Sequence, residues 1–407
     1  MIVHHKILLG LMAGLCINTA VACLAAAAER PIKIEAFGAL TGPVKSFGIN
    51  SRAALGAATE RINRSGGVKL GDGATGRFSI SYSDDHCTPD SGIAIVRRAA
   101  ASDALLALGP SCSSVAEPLY ATLPPRVESA GEEDPIPVFT DGATKANLAR
   151  ISEWAFRNAP NEGDMYRELW AWVHAHHPEL RTVYGGEEHD FAHSHSTWDN
   201  IMSKGAEAAG FRLVGGAGWS IADAHFAEAV EKIRTANADI LVISAHAPTT
   251  CGVLTELARQ HVRPKLLVGL TSASTPETMQ LCPAEAEGLL IPTSFIATTP
   301  ETVKEADEVA EHGGIADLHS MAAWEILYAV KQVIEQKGIS AAFQEVSADR
   351  RKLRDGLADL KVMHGVLGTI TRTPDRESLK PFVLVQARHG KWEIVHAPTR
   401  NGPQPGR

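Results

Sequence analysis

The sequence predicts an α/β protein built as two Rossmann-like lobes, each with a parallel central sheet. Two observations indicate this architecture. Short apolar strands alternate with amphipathic helices along most of the chain, as is typical of parallel sheets covered by helices on both faces. Removal of an N-terminal leader leaves about 379 residues, more than one ordinary hydrophobic core organises. Ligands of such folds bind beyond the carboxyl ends of the strands.

The alternation begins directly after the leader. Gly66 and Gly67 end the first helix, and Pro89 suits the first turn of the second. The strands predicted in the first part of the chain are 32–40, 77–83, 104–108 and 136–139, and the helices are 51–63, 89–102 and 113–123. The same rhythm continues with helices 161–177, 196–209, 223–236 and 250–261 and strands 182–184, 211–214, 240–244 and 265–268.

Residues 1–28 have the pattern of a secretory signal peptide. A short start with one lysine precedes an apolar stretch that ends in Ala26-Ala27-Ala28, which fits the small-x-small cleavage rule. A retained membrane anchor is one alternative, because the apolar stretch is long enough to span a bilayer. A lipid anchor at Cys23 is another. The alanine-rich end favours cleavage and a periplasmic protein.

Composition excludes one class of partner and suggests disulfides. The net charge of -8 includes no acidic or basic block, which speaks against nucleic-acid binding. Four cysteines remain after the leader, namely Cys87, Cys112, Cys251 and Cys282. In an exported chain they favour two disulfides, with three pairings open, over buried free thiols.

Two loops at carboxyl ends of strands carry candidate ligand-binding residues. In the loop 109–114, the hydroxyl of Ser113 and the first amides of a helix would suit an anion. The alternative is that Ser113 only caps its helix. In the loop 140–144, Gly142 permits close approach of the backbone and Thr144 offers a hydroxyl, although an ordinary turn would look the same.

Several motifs, in order, resemble the branched-chain amino acid-binding proteins of ABC importers. They are the stretches 32–68, 82–87, 109–114, 142–144 and 287–290. The resemblance implies a type I periplasmic binding protein whose lobes are joined by three hinge crossovers, here near Phe156, Leu290 and Gly368. The first lobe would comprise 29–156 and 291–367, and the second 157–290 and 368–407. It also implies a Cys87–Cys112 disulfide and leaves Cys251 and Cys282 as a second candidate pair.

The resemblance further implies a set of ligand-binding residues. They are Ser113, Gly142, Thr144 and Phe47 on the first lobe, with Phe191, His246 and Thr271 on the second. Thr271 stands where the family has an acidic residue that pairs with the ligand's ammonium. A buried ammonium without a counter-charge is costly, so we expect a small carboxylate-bearing ligand, an amino acid or an organic or aromatic acid. A shift of a few residues in the alignment would give the acidic role to Glu277.

A histidine-rich stretch, 189–195, raises the question of a metal. Imidazole is a favoured zinc ligand, but the spacing matches no closed zinc motif. The interpretation favoured here is a polar loop at the mouth of the cleft. No metal ligand and no cofactor are assigned.

The predicted function is therefore ligand binding without catalysis. The protein would be a monomer that closes on its ligand and docks on an ABC permease in the inner membrane. The sequence contains no Gly-x-Ser-x-Gly elbow, no His-Glu-x-x-His motif and no P-loop. The alternatives are a ligand-sensing domain for a membrane receptor and, with less support, an exported metal-binding protein or hydrolase.

Overall fold

The chain divides its strands between two separate parallel sheets. A computed structural model describes residues 29–130, 135–145 and 147–398. The predicted signal peptide and Cys23 lie outside the described residues. The elements of the first segment are β1 (Glu29–Gly38), α1 (Lys45–Arg64), β2 (Val68–Lys69), β3 (Thr75–Asp84), α2 (Pro89–Ala100), β4 (Leu106–Leu108), α3 (Ser113–Tyr120), β5 (Val138–Thr140) and β6 (Ala155–Arg157). Their strands form the first sheet in the order β2-β3-β1-β4-β5-β6, parallel except for β2.

The second segment builds the other sheet. Its elements are α4 (Glu162–His176), β7 (Thr182–Glu188), α5 (Ala192–Thr197), a π-helical turn (Trp198–Met202), α6 (Ser203–Ala208), β8 (Arg212–Trp219), α7 (Ala227–Ala236), β9 (Ile240–Ser244), α8 (Ala247–Arg259), β10 (Leu266–Gly269), α9 (Pro276–Leu281) and β11 (Leu289–Thr293). All five residues of β9 are buried, because helices cover both faces of this parallel sheet.

The last segment returns to the first lobe before it completes the second. Its elements are α10 (Pro300–Glu311), α11 (Ser320–Lys337), α12 (Val346–Asp359), β12 (Val362–Gly365), β13 (Gly368–Arg372), β14 (Ser378–Leu379), β15 (Val383–Arg388) and β16 (Lys391–His396). Strands β12–β14 form a small antiparallel sheet, and β15 and β16 extend the second sheet to the order β16-β15-β11-β10-β9-β7-β8. The predicted class, an α/β fold with two Rossmann-like lobes, is confirmed.

The first lobe is held together by helix packing around α1. Alanines 53, 54, 57 and 58 of α1 are buried in one apolar core with residues of α11. Small side chains on this face allow the two helices to approach closely. Arg350 of α12 donates to the carbonyls of Ala99, Ala100 and Ala104, at and beyond the end of α2. A guanidinium is favourable there because the last carbonyls of a helix lack partners within it.

The chain passes between the lobes three times, between β6 and α4, β11 and α10, and β14 and β15. Buried Glu325 of α11 joins the first and third crossovers, because it accepts from Asn158 Nδ2 at 2.9 Å and Lys380 Nζ at 2.5 Å. The third crossover comes later than the predicted position near Gly368. Residues after Gly368 still pair with β12, and Ser378 Oγ donates to the Arg157 carbonyl in the first lobe.

The structure contains a disulfide at the Cys87–Cys112 pair and at the second candidate pair, Cys251–Cys282. Cys87–Cys112 joins the loop after β3 to the start of α3, and Cys251–Cys282 joins α8 to the end of α9. Each disulfide lies within one lobe, so neither restrains movement of the lobes relative to each other. Within the described ranges, no helix is both long and apolar enough to cross a bilayer.

Candidate functional site

The loops at the carboxyl ends of both sheets face each other and form the candidate site. On the first lobe, the loop after β4 leads into α3 at Ser113, and the loop after β5 contains Gly142 and Thr144. Gly142 lies against the first of these loops, since a Cβ atom there would be 2.9 Å from the Ser111 carbonyl oxygen. Ser113 Oγ accepts from the Lys145 amide at 3.2 Å. The fold thus brings Ser113, Gly142 and Thr144, three of the four predicted first-lobe residues, close together.

A buried carboxylate fixes these loops. Asp141 accepts from Ser51 Oγ at 2.6 Å and from Ser111 Oγ at 3.1 Å. Burial raises the pKa of Asp141 to about 6, and the two serine hydroxyls oppose that shift. Thr144 is also buried, and its hydroxyl has no hydrogen-bond partner within the described part of the chain. Asp141 therefore has a positioning role, while Thr144 remains available to a ligand.

Phe47 joins the two lobes. It lies in the first turn of α1, which begins at Lys45, earlier than predicted. Its ring contacts the ring of His319 at 4.5 Å and that of His246 at 5.4 Å between centroids. His319 belongs to the first lobe and His246 to the second, so the lobes are in contact here. Phe191 of the second lobe contacts the same His246 ring at 4.7 Å.

His246 is held by a buried carboxylate. It precedes the first residue of α8, and its backbone amide and Nδ1 lie 3.0 and 2.5 Å from the oxygens of Glu188. Ser194 and Thr249 also donate to Glu188. Burial alone would raise the pKa of Glu188, but the charge and hydrogen bond of His246 and these hydroxyls lower it to about 2. The other ring nitrogen of His246, Nε2, is buried and has no partner among the described residues.

A second carboxylate, Glu162, was not predicted. It is the first residue of α4 and accepts from Thr197 Oγ1 at 3.0 Å, from His193 Nε2 at 2.9 Å and from Thr271 Oγ1. Burial opposes its ionised form, but the facing histidine charge and these hydrogen bonds lower the pKa of Glu162. The Thr271 hydroxyl is thus used to hold Glu162.

His319 completes a row of three buried histidines. Ser272 Oγ lies 3.2 Å from His193 Nδ1 and 3.3 Å from His319 Nε2, so this hydroxyl links the lobes. Burial and the charges of His193 and His246 lower the pKa of His319 to about 3. Its Nδ1 atom is buried without a partner in the described structure. No motif in the sequence marks His319, because only the packing of α11 brings it to the cleft.

Glu277, the alternative acidic residue, lies at the edge of this interface. It is half-buried in the first turn of α9 and accepts a hydrogen bond from Ser46 of the first lobe. Burial raises the pKa of Glu277, although Ser46 and the nearby positive charges of His246 and Lys45 oppose the shift. Glu277 is therefore an acidic group within reach of the cleft, separate from Glu162 and Glu188.

A distinct cavity of about 280 Å³ lies between the lobes on the hinge side. Residues of both lobes and of the second crossover line it, among them Ser274, Phe295, Ala310, Ile315 and Trp392. Its lining is mostly apolar. It contains none of the seven predicted ligand-binding residues.

Comparison with known proteins identifies the family to which this architecture belongs. The family model described as "Periplasmic binding protein" matches residues 31–391. The Leu/Ile/Val-binding protein homolog 3 of Brucella melitensis is 23% identical over 353 residues, which cover 85% of this chain and 88% of the relative.

Solved structures share the fold at low sequence identity. The isoleucine complex of LivJ from Streptococcus pneumoniae has a TM-score of 0.74 and 16% identity, with 91% of this chain and 99% of that one covered. A solute-binding protein from R. palustris in complex with 4-hydroxybenzoate has a TM-score of 0.73 and 17% identity, with 92% and 98% covered. Proteins of this family and fold bind solutes and are not enzymes. The chain therefore belongs to the periplasmic binding protein family and has the two-lobed architecture of the branched-chain amino acid-binding proteins.

Proposed function

We propose that this protein is the periplasmic solute-binding component of an ABC importer and that it traps a small carboxylate-bearing ligand between its lobes. The observation that carries the proposal is the hydrogen bonding of the cleft. Both fully buried carboxylates on the second lobe already accept from histidines and hydroxyls. Among the described residues, the buried side-chain atoms without a partner include three of cleft residues, namely His246 Nε2, His319 Nδ1 and Thr144 Oγ1. Hydroxyls and imidazole N–H groups donate to carboxylates, so these three atoms suit an anion.

The residues around the cleft also bear on the apolar part of the ligand and on whether it carries an ammonium. Phe47 and Phe191 offer ring faces or edges to an aromatic or aliphatic body. An ammonium would need a carboxylate that can accept a further hydrogen bond. Glu277, at the edge of the interface between the lobes, supports an amino acid as the second candidate ligand. The relatives of this fold include an isoleucine complex and a 4-hydroxybenzoate complex, and both of those ligands carry a carboxylate.

Binding would be coupled to closure of the lobes. Phe47 on one lobe already contacts His246 on the other, and Ser272 reaches His319 across the same boundary. A ligand that touches both lobes binds the closed form better than the open one and therefore shifts the population towards it. The closed form would be the one presented to the permease.

Matched pairs of ligands test the chemical class. Thermal unfolding is measured with 4-methylpentanoate against leucine and with 3-phenylpropanoate against phenylalanine. The two members of each pair differ only in the ammonium group. We expect at least one of the two acids to raise Tm. The amino acid of the same pair should bind at least about tenfold more weakly, because an unpaired buried ammonium is costly. If the amino acids bind more tightly, Glu277→Gln decides whether that carboxylate is their partner. No response to any of the four compounds would contradict the proposal.

Transport is tested separately from binding. A candidate ABC permease from the same organism is reconstituted in liposomes, and uptake of the radiolabelled ligand is measured with and without the purified protein. The proposal predicts uptake only when the protein is present. Binding without such uptake would favour a receptor-linked sensing role.

A further inference from the structure

Strand β7 presents acidic side chains to two different environments. Glu187 and Glu188 are consecutive, so their side chains point to opposite faces of the sheet. Glu188 is fully buried in the cleft, whereas Glu187 is partly exposed on the outer face. His189 lies on that outer side as well, since its Nδ1 atom is 3.1 Å from the Cβ position of Gly218, the residue that pairs with Glu187.

The helix that follows brings two more ligand-type side chains to the outer face. His195 Nδ1 is 3.0 Å from Glu187 Oε2, and His195 Nε2 is 3.4 Å from Asp199 Oδ2. Asp199 lies in the π-helical turn Trp198–Met202, a distortion often found at functional sites. One donor atom from each of the three residues falls within 4.8 Å of the others. The fold thus divides the histidine-rich stretch, because His193 enters the cleft while His195 joins Glu187 and Asp199 outside it.

We propose that Glu187, His195 and Asp199 bind a divalent transition-metal ion of the zinc type, with His189 as the fourth ligand. Around tetrahedral Zn²⁺, bonds of about 2.0–2.2 Å place ligand atoms roughly 3.4 Å apart. Glu187, His195 and Asp199 therefore reach this spacing by movements of up to about 1.4 Å. His189 lies outside this group of three, and its exposed side chain rotates to join them. His195 and Asp199 are 51% and 49% exposed in their side chains, so rotation about their side-chain bonds is not obstructed by a core. His195 gives one nitrogen to the metal and releases one of its two present carboxylate partners.

The donor set decides the class of ion. Two imidazoles with two carboxylates suit Zn²⁺ or a similar borderline ion, whereas Mg²⁺ and Ca²⁺ prefer sites made of oxygen alone. A bound ion would tie β7 to the segment that carries Phe191 and His193 of the cleft. The proposal does not depend on the identity of the cleft ligand.

Calorimetric titration of metal-free protein with Zn²⁺ at pH 7.5 tests the site. We expect one tight site in the wild type and a loss of affinity of at least about tenfold in each of His195→Ala and Asp199→Asn. The matched control is His225→Ala, an exposed histidine outside the site, whose zinc affinity should equal that of the wild type. Circular dichroism without metal checks that each variant is folded.

Cobalt substitution supplies a readout of geometry. The visible spectrum of Co²⁺-loaded protein should have the intensity of a tetrahedral complex, and His189→Ala should reduce it. Zinc affinity that is unchanged in His195→Ala and Asp199→Asn, or the absence of a tight site in the wild type, would overturn the proposal.

Discussion

At the scale of single residues, the cleft differs from the prediction mainly in its buried charges. From the family resemblance, Thr271 stands where the related proteins have an acidic residue. The structure shows that the Thr271 hydroxyl donates to a carboxylate elsewhere in the chain, Glu162. Glu162 could not be recognised from sequence, because acidic residues in the first turn of a helix are common and are favoured by the helix dipole. Only the fold of the second lobe brings its partners His193, Thr197 and Thr271 to it.

His319 gives a pH dependence with a defined sign. Its pKa is about 3 in the folded protein and 6.5 when unperturbed, so the folded form is increasingly disfavoured as pH falls from 6.5 towards 3. Between pH 7 and pH 5, His319→Asn should gain about 2 kcal/mol of stability relative to the wild type. Unfolding by denaturant at the two pH values measures this difference.

The comparison with a variant is needed because other groups titrate in the opposite sense. Burial raises the pKa of Asp85 and of Asp141 to about 6, so these carboxyls stabilise the folded protein as pH falls below 6. They are present in both proteins, and their contribution cancels in the difference. His225→Asn, at an exposed position, should follow the wild type at both pH values. Equal pH dependence in wild type and His319→Asn would show that His319 is not buried as described.

At the scale of elements, the buried strands were the most predictable part of the fold. Strand β9 has the predicted bounds, because four consecutive apolar residues and Ser244 lie between turn-forming segments. Helix α1 begins earlier than predicted, since Gly48 allows it to pack against the backbone of Ala39. A Cβ atom at Gly48 would lie 2.2 Å from the Ala39 carbonyl oxygen. That contact joins two separate segments of the fold, so the pattern of apolar residues in the sequence does not predict it.

The hinge side of α11 supports a stability prediction. Glu325 and Lys380 are buried, at 3% and 2% side-chain exposure, so Glu325→Gln leaves the lysine without its counter-charge. The expected loss in free energy of unfolding is about 3–5 kcal/mol. Adding Lys380→Met to the Glu325→Gln variant removes the unpaired lysine charge and should recover part of that loss. Chemical denaturation measures all three proteins.

An exposed pair on the same helix provides the control. Glu335 lies 2.6 Å from Lys331, and both side chains are about 30% exposed. Glu335→Gln should cost about 1 kcal/mol or less, because exposed ion pairs contribute little. If Glu325→Gln is as mild as Glu335→Gln, the crossovers are not held by this buried carboxylate.

At the scale of the whole molecule, the alternation of strands and helices predicted the two sheets, and the family resemblance supplied the crossovers. The third crossover was placed too early, because the short strands β12–β14 have no clear alternation and their pairing to the first lobe is not visible in sequence. The predicted residues Phe47, Phe191 and His246 do meet at the interface between lobes. The row of buried histidines that connects them could be recognised only in the folded structure.

The crystal structure of the protein with the most stabilising acid tests the central claim most directly. We predict the ligand between the lobes, in contact with Phe47 and with a carboxylate oxygen about 2.7–3.2 Å from His246 Nε2 or Thr144 Oγ1. A ligand seated in the hinge-side cavity lined by Phe295 and Trp392, with its carboxylate away from His246 and Thr144, would contradict the account.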